Sequence, residues 1–285
     1  MIGVRVVVGY ALQESLRRRV FGVVVVLTAL FLALYGYGAS LAFDGTSELE
    51  TTGDGVVESE VLTGSTMLGL AMFSILFLGA VLAVFLTLSA VRGDAERGLL
   101  QPLVVRPLGR TQLLAGRYAA AATVCTAYVL SVYFAAMLIT GLVGGWWPDR
   151  VLGPGVALAA AVCVIAALTL LGSVYLSANA NGIAVFMVFG AGLAAGLLGQ
   201  IGEALNSNRL ERIADVASWL LPFEALYQSG LHDLTADASG FTDVAVQLGP
   251  FGGAQGASAL LWPWAVAYVL LVGAAARRGF MRRDL

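Results

Sequence analysis

In a chain otherwise short of charge, residues 92–112, RGDAERGLLQPLVVRPLGRTQ, gather four arginines with Asp94 and Glu96. Asp94 and Glu96 stand where a short helix would begin, and acids there complement the helix dipole. Leu99, Leu100, Leu103 and Val104 follow at spacings that form one apolar face. Arg106-Pro107 forces an extended exit, because a residue before proline is pushed out of the helical region, and Thr111 suits the N-cap of the next helix. This is contact chemistry: a short amphipathic helix with a charged start is a surface that another protein can push on. The plainer alternative is that the arginines only hold the loop on one side of a membrane.

Catalytic chemistry finds little support. His232, beside Asp233, is the single histidine, which excludes H-E-x-x-H and leaves no serine–histidine pair near a membrane helix. It reads as a solvated side chain rather than a metal ligand, and no metal site is expected. No G-x-x-x-x-G-K-[ST] loop occurs, so no phosphate cradle is encoded. No feature points to nucleic acid.

The elements that position this stretch follow from composition. The chain is 59% hydrophobic and 12% charged, where a soluble domain is roughly a quarter charged, so it belongs in a membrane. A hydrocarbon core about 30 Å thick needs about 20 apolar residues of helix. Six runs satisfy this, at residues 20–43, 65–91, 113–143, 156–177, 182–201 and 257–276, and none contains Asp, Glu or His. Each is too long for a buried strand and lacks two-residue alternation, so its backbone must satisfy itself as helix. The fold class is all-α and polytopic. The first run exceeds a signal-peptide core, although Ser40-Leu41-Ala42 resembles a cleavage site. Cys125 and Cys163 fall within runs and read as small apolar packing residues.

With no lysine in the chain, sixteen arginines set the orientation. Arg5 and Arg17 to Arg19, the arginines between Arg92 and Arg117, and Arg277 to Arg283 share one side if there are six crossings. The other side holds Asp44, Glu48, Glu50, Asp54, Glu58 and Glu60 in an acidic loop, against Arg150, Arg209 and Arg212. Positive-inside places both termini and residues 92–112 in the cytoplasm of a prokaryotic cell, in its inner membrane, and the five tryptophans then lie near the outer face. The other internal loop, around Asn179 to Asn181, is short and uncharged. Residues 1–19 form an amphipathic elbow, with Leu12, Leu16 and Val20 beside Glu14 and Arg17, suited to lipid anchoring or to coupling.

In the fifth run Gly192, Gly196 and Gly199 are spaced for close helix packing, either within one subunit or at a dimer interface or substrate path. Residues 203–256 make an outer segment too long for a plain connector. Asn208 and Glu211 suggest a capped helix with Leu210, Ile213, Val216 or Ala217, and Leu220 on one apolar face, lying flat on the outer leaflet or dipping into it.

Glu96-Arg97-Gly98-Leu99-Leu100, then Val105-Arg106-Pro107-Leu108-Gly109-Arg110 and Leu114-Ala115-Gly116-Arg117, resembles the E-x-G-T-L, S-R-P-x-S-R and L-x-G-K signature of type-2 ABC transporter permeases. The elbow, the six runs, Leu221-Pro222-Phe223-Glu224-Ala225-Leu226-Tyr227 and the arginine-rich end extend the resemblance over the chain. It is similar to compact permeases of drug, antibiotic and sodium export and of nitrous-oxide reductase maturation. Leu99 departs from the family's Thr, and Pro102 interrupts the coupling helix, so that helix begins near Leu100 or is kinked.

The resemblance implies a transport subunit, not an enzyme, of an ATP-driven exporter. A separate nucleotide-binding subunit carries ATP and Mg, a second permease copy or related permease completes the pair, and lipid surrounds both. Asp94, Glu96, Arg97, Leu99, Leu100, Arg106 and Arg110, with Glu14 and Arg17 of the elbow, are the implied coupling residues. The alternative is an ion-coupled secondary transporter, which would want ionisable groups near the membrane centre that the six runs lack.

Overall fold

The computed structural model describes residues 19–49, 59–88, 110–148, 150–234 and 258–282. Among these, every regular element is a helix: α1 Arg19–Leu49, α2 Ser59–Thr87, α3 Arg110–Gly144, α4 Gly153–Tyr175, α5 Ala178–Ala204, α6 Asn208–Leu220, α7 Pro222–His232 and α8 Leu261–Met281. Six of them, all but α6 and α7, are long and apolar enough to cross a membrane. They correspond one to one with the six apolar runs. The 35 residues of α3 rise about 50 Å, so this helix outreaches the hydrocarbon at its ends.

The helix ends refine the expected boundaries. Thr111 lies inside the first turn of α3 rather than capping it. The short loop expected around Asn179 to Asn181 is instead Leu176–Ser177, and those asparagines begin α5. Asn181 is thereby fully buried, and its side-chain nitrogen donates to the Thr169 carbonyl of α4 at 2.9 Å.

The central helix is α4, which packs against α2, α3, α5, α7 and α8. Five of its six alanines, Ala157, Ala159, Ala161, Ala166 and Ala167, are buried, and their small size lets five neighbours approach. Pro154 opens it, at a position whose missing N–H costs no helical bond. At one edge α1 packs on α2 and α3 through Val24, Thr28, Tyr35, Ala39 and Phe43. Its opposite stripe, Val23, Val26, Leu30, Leu34, Tyr37 and Leu41, faces outward and suits lipid.

Hydroxyls join α1 to α3. Thr28 donates to the Val24 carbonyl at 2.7 Å, so Tyr128, whose hydroxyl lies 2.6 Å away, must be the donor to Thr28. The same logic makes Tyr35 donate to Thr140, whose own proton goes to Ala136. Each pair satisfies polar groups that have no water to turn to.

One end of the bundle gathers the C-terminal ends of α1, α3 and α5 with the N-terminal ends of α2, α4 and α8. There Gly144 packs under the Phe43 ring, Gly64 under Trp146 and Gly153 against Asp233. At the other end Leu114, Leu170, Val174, Ala276 and Phe280 join α3, α4 and α8 in a second apolar cluster.

Candidate functional site

The described residues after α5, 205–234, fold back into the bundle, dipping in rather than lying flat over it. Asn206 adopts φ +50°, the left-handed conformation that asparagine tolerates at a helix end. With it, Ser207 N–H reaches back to the Gly202 carbonyl at 2.8 Å and closes α5. Ser207, extended, precedes α6; the expected cap at Asn208 therefore falls one residue earlier, and no side-chain cap bond forms.

Descending antiparallel to α5, α6 sets Leu210 near Gly202 and Ala214 near Gly199. A single non-helical residue, Leu221, at φ −129° and ψ 68°, turns the chain into α7, the proline after it disfavouring the helical region. From Phe223, seated at Gly192, α7 climbs back until Asp233 meets Gly153 at the end of the bundle. The pair is a re-entrant helical hairpin.

Its two arms differ. On α6 the expected apolar face divides: Ile213, Val216 and Leu220 point outward, while Leu210 and Ala217 are half-buried. On α7 nearly every residue is buried, from Pro222 to Gln228 save Ala225, and on through Leu231. Phe223 stacks on Phe189 of α5 at 5.7 Å between ring centres, Phe189 meets Phe77 of α2 at 6.2 Å, and Tyr227 meets Phe73 at 6.5 Å. Gly230 lies against Met72, Pro154 and Ala157. Backbone that is not a full span is tolerable at this depth because protein surrounds it.

Glu224 rides in with this helix. It is 6% exposed and is the only buried carboxyl among the described residues. Gln228, one turn on, donates to its Oε1, and Gly196 presents bare backbone to the same oxygen. Beside them opens a cavity of about 220 Å³ lined by Gly196, Gly199, Glu211, Ala214, Asp215, Ser218, Glu224 and Gln228. Burial pushes the Glu224 carboxyl up to about 7, although the Gln228 hydrogen bond works the other way. The Tyr227 hydroxyl is likewise pushed up, by burial and by the nearby Glu224 charge.

Reading the sequence by apolar runs missed Glu224, since it lies in no run; the structure nonetheless brings an ionisable group in among the spans. The single acid inside the otherwise apolar Leu221-Pro222-Phe223-Glu224-Ala225-Leu226-Tyr227 was the available signal. Gly192, Gly196 and Gly199 all turn toward α6 and α7 of the same chain. Glu14, Arg17, Asp94, Glu96, Arg97, Leu99, Leu100 and Arg106 lie outside the described residues, and Arg110 is described only as the first residue of α3.

The hairpin is fastened at both tips. Arg150 and Asp233 form an ion pair at 2.8 Å between the turn before α4 and the end of α7. The arginine is largely exposed, which limits the pair to about 1 kcal/mol at most. Trp264 of α8 donates from Nε1 to the Trp219 carbonyl at 2.9 Å, and the two rings meet edge to face at 5.5 Å. His232 is half-buried in the last turn of α7, and no group of three or more His, Cys, Asp or Glu among the described residues is arranged to hold a metal. Cys125 and Cys163 are free.

A search of curated proteins finds no match to the chain. The family model of the ABC-2 family transporter proteins, by contrast, matches residues 6–285. Six membrane-crossing helices and that match over nearly the whole length agree: the chain belongs to the ABC-2 transporter family and is a multi-pass membrane component of an ABC transporter.

Proposed function

We propose that the chain is the permease subunit of an ATP-driven exporter, working with a separate nucleotide-binding subunit and a second permease. The observation that carries this reading is the family match from residue 6 to residue 285, which takes in both the elbow and residues 92–112. ATP and Mg belong to the partner, since this chain has no glycine-rich phosphate loop. ATP-driven closure of the partner pushes on residues 92–112, with Asp94, Glu96, Arg97, Leu99, Leu100, Arg106 and Arg110 as the contact set and Glu14 and Arg17 of the elbow beside them. The arginine-rich end of the bundle faces the cytoplasm of a prokaryotic cell, and the α6–α7 end faces outside.

The test is purification of the tagged chain from its native membrane in mild detergent. A Walker-A-containing subunit is expected to accompany it in stoichiometric amount and to hydrolyse ATP. Glu96→Lys and Arg106→Glu are each expected to lower recovery of that subunit or its turnover by tenfold or so, the scale of losing a charge-assisted contact of about 1.5 kcal/mol. Unchanged assembly and turnover in both variants would overturn the assignment of the coupling residues.

One observation favours a second reading. Buried Glu224 is the kind of group an ion-coupled carrier uses, and the apolar runs alone did not offer one. A chain that purifies alone, without ATPase activity, would support that alternative.

A further inference from the structure

Glu224 is buried without a cation. On α5 it meets Gly196, and the glycine face around it bears no charge. Across the cavity α6 presents two more carboxyls, Glu211 and Asp215. On its own helix it meets Gln228 and, close by, Tyr227, while His232 stands two turns away and Asp233 is engaged by Arg150. Between its first and last turns α4 has one ionisable group, the Cys163 thiol, which meets Thr126 of α3, and on α8 the nearest ionisable side chain is Tyr268, the arginines lying at the far end. Between Val61 and Thr87, α2 carries none. No arginine lines the cavity.

An ionised Glu224 would therefore have one carboxamide to receive it and two like charges nearby, and an uncompensated charge of that kind is neutralised or expelled rather than kept. A neutral carboxyl fits the same place at little cost. The seat is also tight on the α5 side: a methyl group added at Gly196 would collide with Glu224 and Gln228, so α7 docks this closely only because α5 presents bare backbone there.

We propose that α7 is a proton-sensitive plug, seated against the glycine face of α5 when Glu224 is neutral and loosened from it when Glu224 gives up its proton to water in the cavity. Loosening joins the cavity to the space that α7 fills, between α2, α4 and α5. The inference concerns packing alone and goes beyond the proposed coupling to an ATPase, whose failure would leave it standing.

The sign follows from burial, which raises the docked carboxyl to about 7 from an ordinary value near 4.5. Docking is then strongest below the ordinary value, weakens as pH rises between the two, and levels off above the docked value. The experiment is hydrogen–deuterium exchange of the full chain, with its co-purifying subunits, in lipid nanodiscs. After correction for intrinsic exchange rate, opening of residues 222–232 is expected to rise roughly thirtyfold from pH 5.5 to pH 8. Glu224→Gln should abolish the rise and hold α7 at its acid-side protection. Glu211→Gln and Asp215→Asn should each keep a rise. Should Glu224→Gln not fold, Gln228→Leu serves: without the amide that favours the ionised form, the response should move to higher pH. Equal opening at both pH values in the wild type, a rise that survives Glu224→Gln, a rise that disappears with Glu211 or Asp215, or a Gln228→Leu response that stays put or moves to lower pH would each overturn the proposal.

Discussion

Two glycines two residues apart on α5, and so on opposite faces of it, separate what local sequence shows from what packing decides. Gly192 lies under the Phe223 ring, while Gly190 faces open space. Because the ring is stacked on Phe189, it cannot give way cheaply, so Gly192→Ala should destabilise the purified protein by about 1–3 kcal/mol. Gly190→Ala should be neutral or stabilising by up to about 1 kcal/mol, since alanine is the better helix former. Thermal unfolding of the detergent-solubilised variants measures both. In sequence the two glycines look alike, and the spacing of Gly192, Gly196 and Gly199 was legible as a packing face without saying what would pack there. Glu224 was less legible still: its one local mark is the apolar company of Leu221 to Tyr227, and what buries it includes distant segments of the chain.

At the scale of elements, the six spans were readable because lipid imposes a rule on each helix separately: about 20 apolar residues or no crossing. The structure obeys it with ends displaced by a few residues. No such rule governs α7. Its eleven residues include Glu224, Gln228 and Ser229, and it fails any test of run length, yet it is the most enclosed of the short elements. What covers it is protein, so Glu224 and Gln228 pair with each other instead of being excluded, and the Tyr227 hydroxyl is buried with no hydrogen-bond partner among the described residues. Seeing α6 as amphipathic was sound, but its apolar residues serve two surfaces, Leu210 and Ala217 toward α5 and Ile213, Val216 and Leu220 outward. The Trp219–Trp264 contact fixes its lower end. Trp264→Phe keeps an aromatic ring while removing the bond to the Trp219 carbonyl, a loss of about 1 kcal/mol. Faster amide exchange at residues 208–220, with the spans unchanged, is the expected reading.

For the molecule as a whole, the arrangement has a sidedness open to direct measurement. In a chain with Cys125 and Cys163 replaced by alanine, single cysteines at Val151 and Leu205 should react with a membrane-impermeant maleimide on intact cells. A cysteine at Arg282 should react only once the membrane is opened. The reverse pattern would invert the orientation argued from the arginines, leaving the helix packing untouched. The re-entrant hairpin also bears on how the protein is made. At about 16 Å, α7 is too short to cross a bilayer, and it leaves the ribosome before α8, against which it packs. Most of its seat, from α2, α4 and α5, is made before it, and α8 adds the last side. Docking of α7 is therefore a step apart from the crossing of the spans, and a nascent chain halted before residue 258 is expected to hold its first five spans with α7 still uncovered on the side that α8 closes.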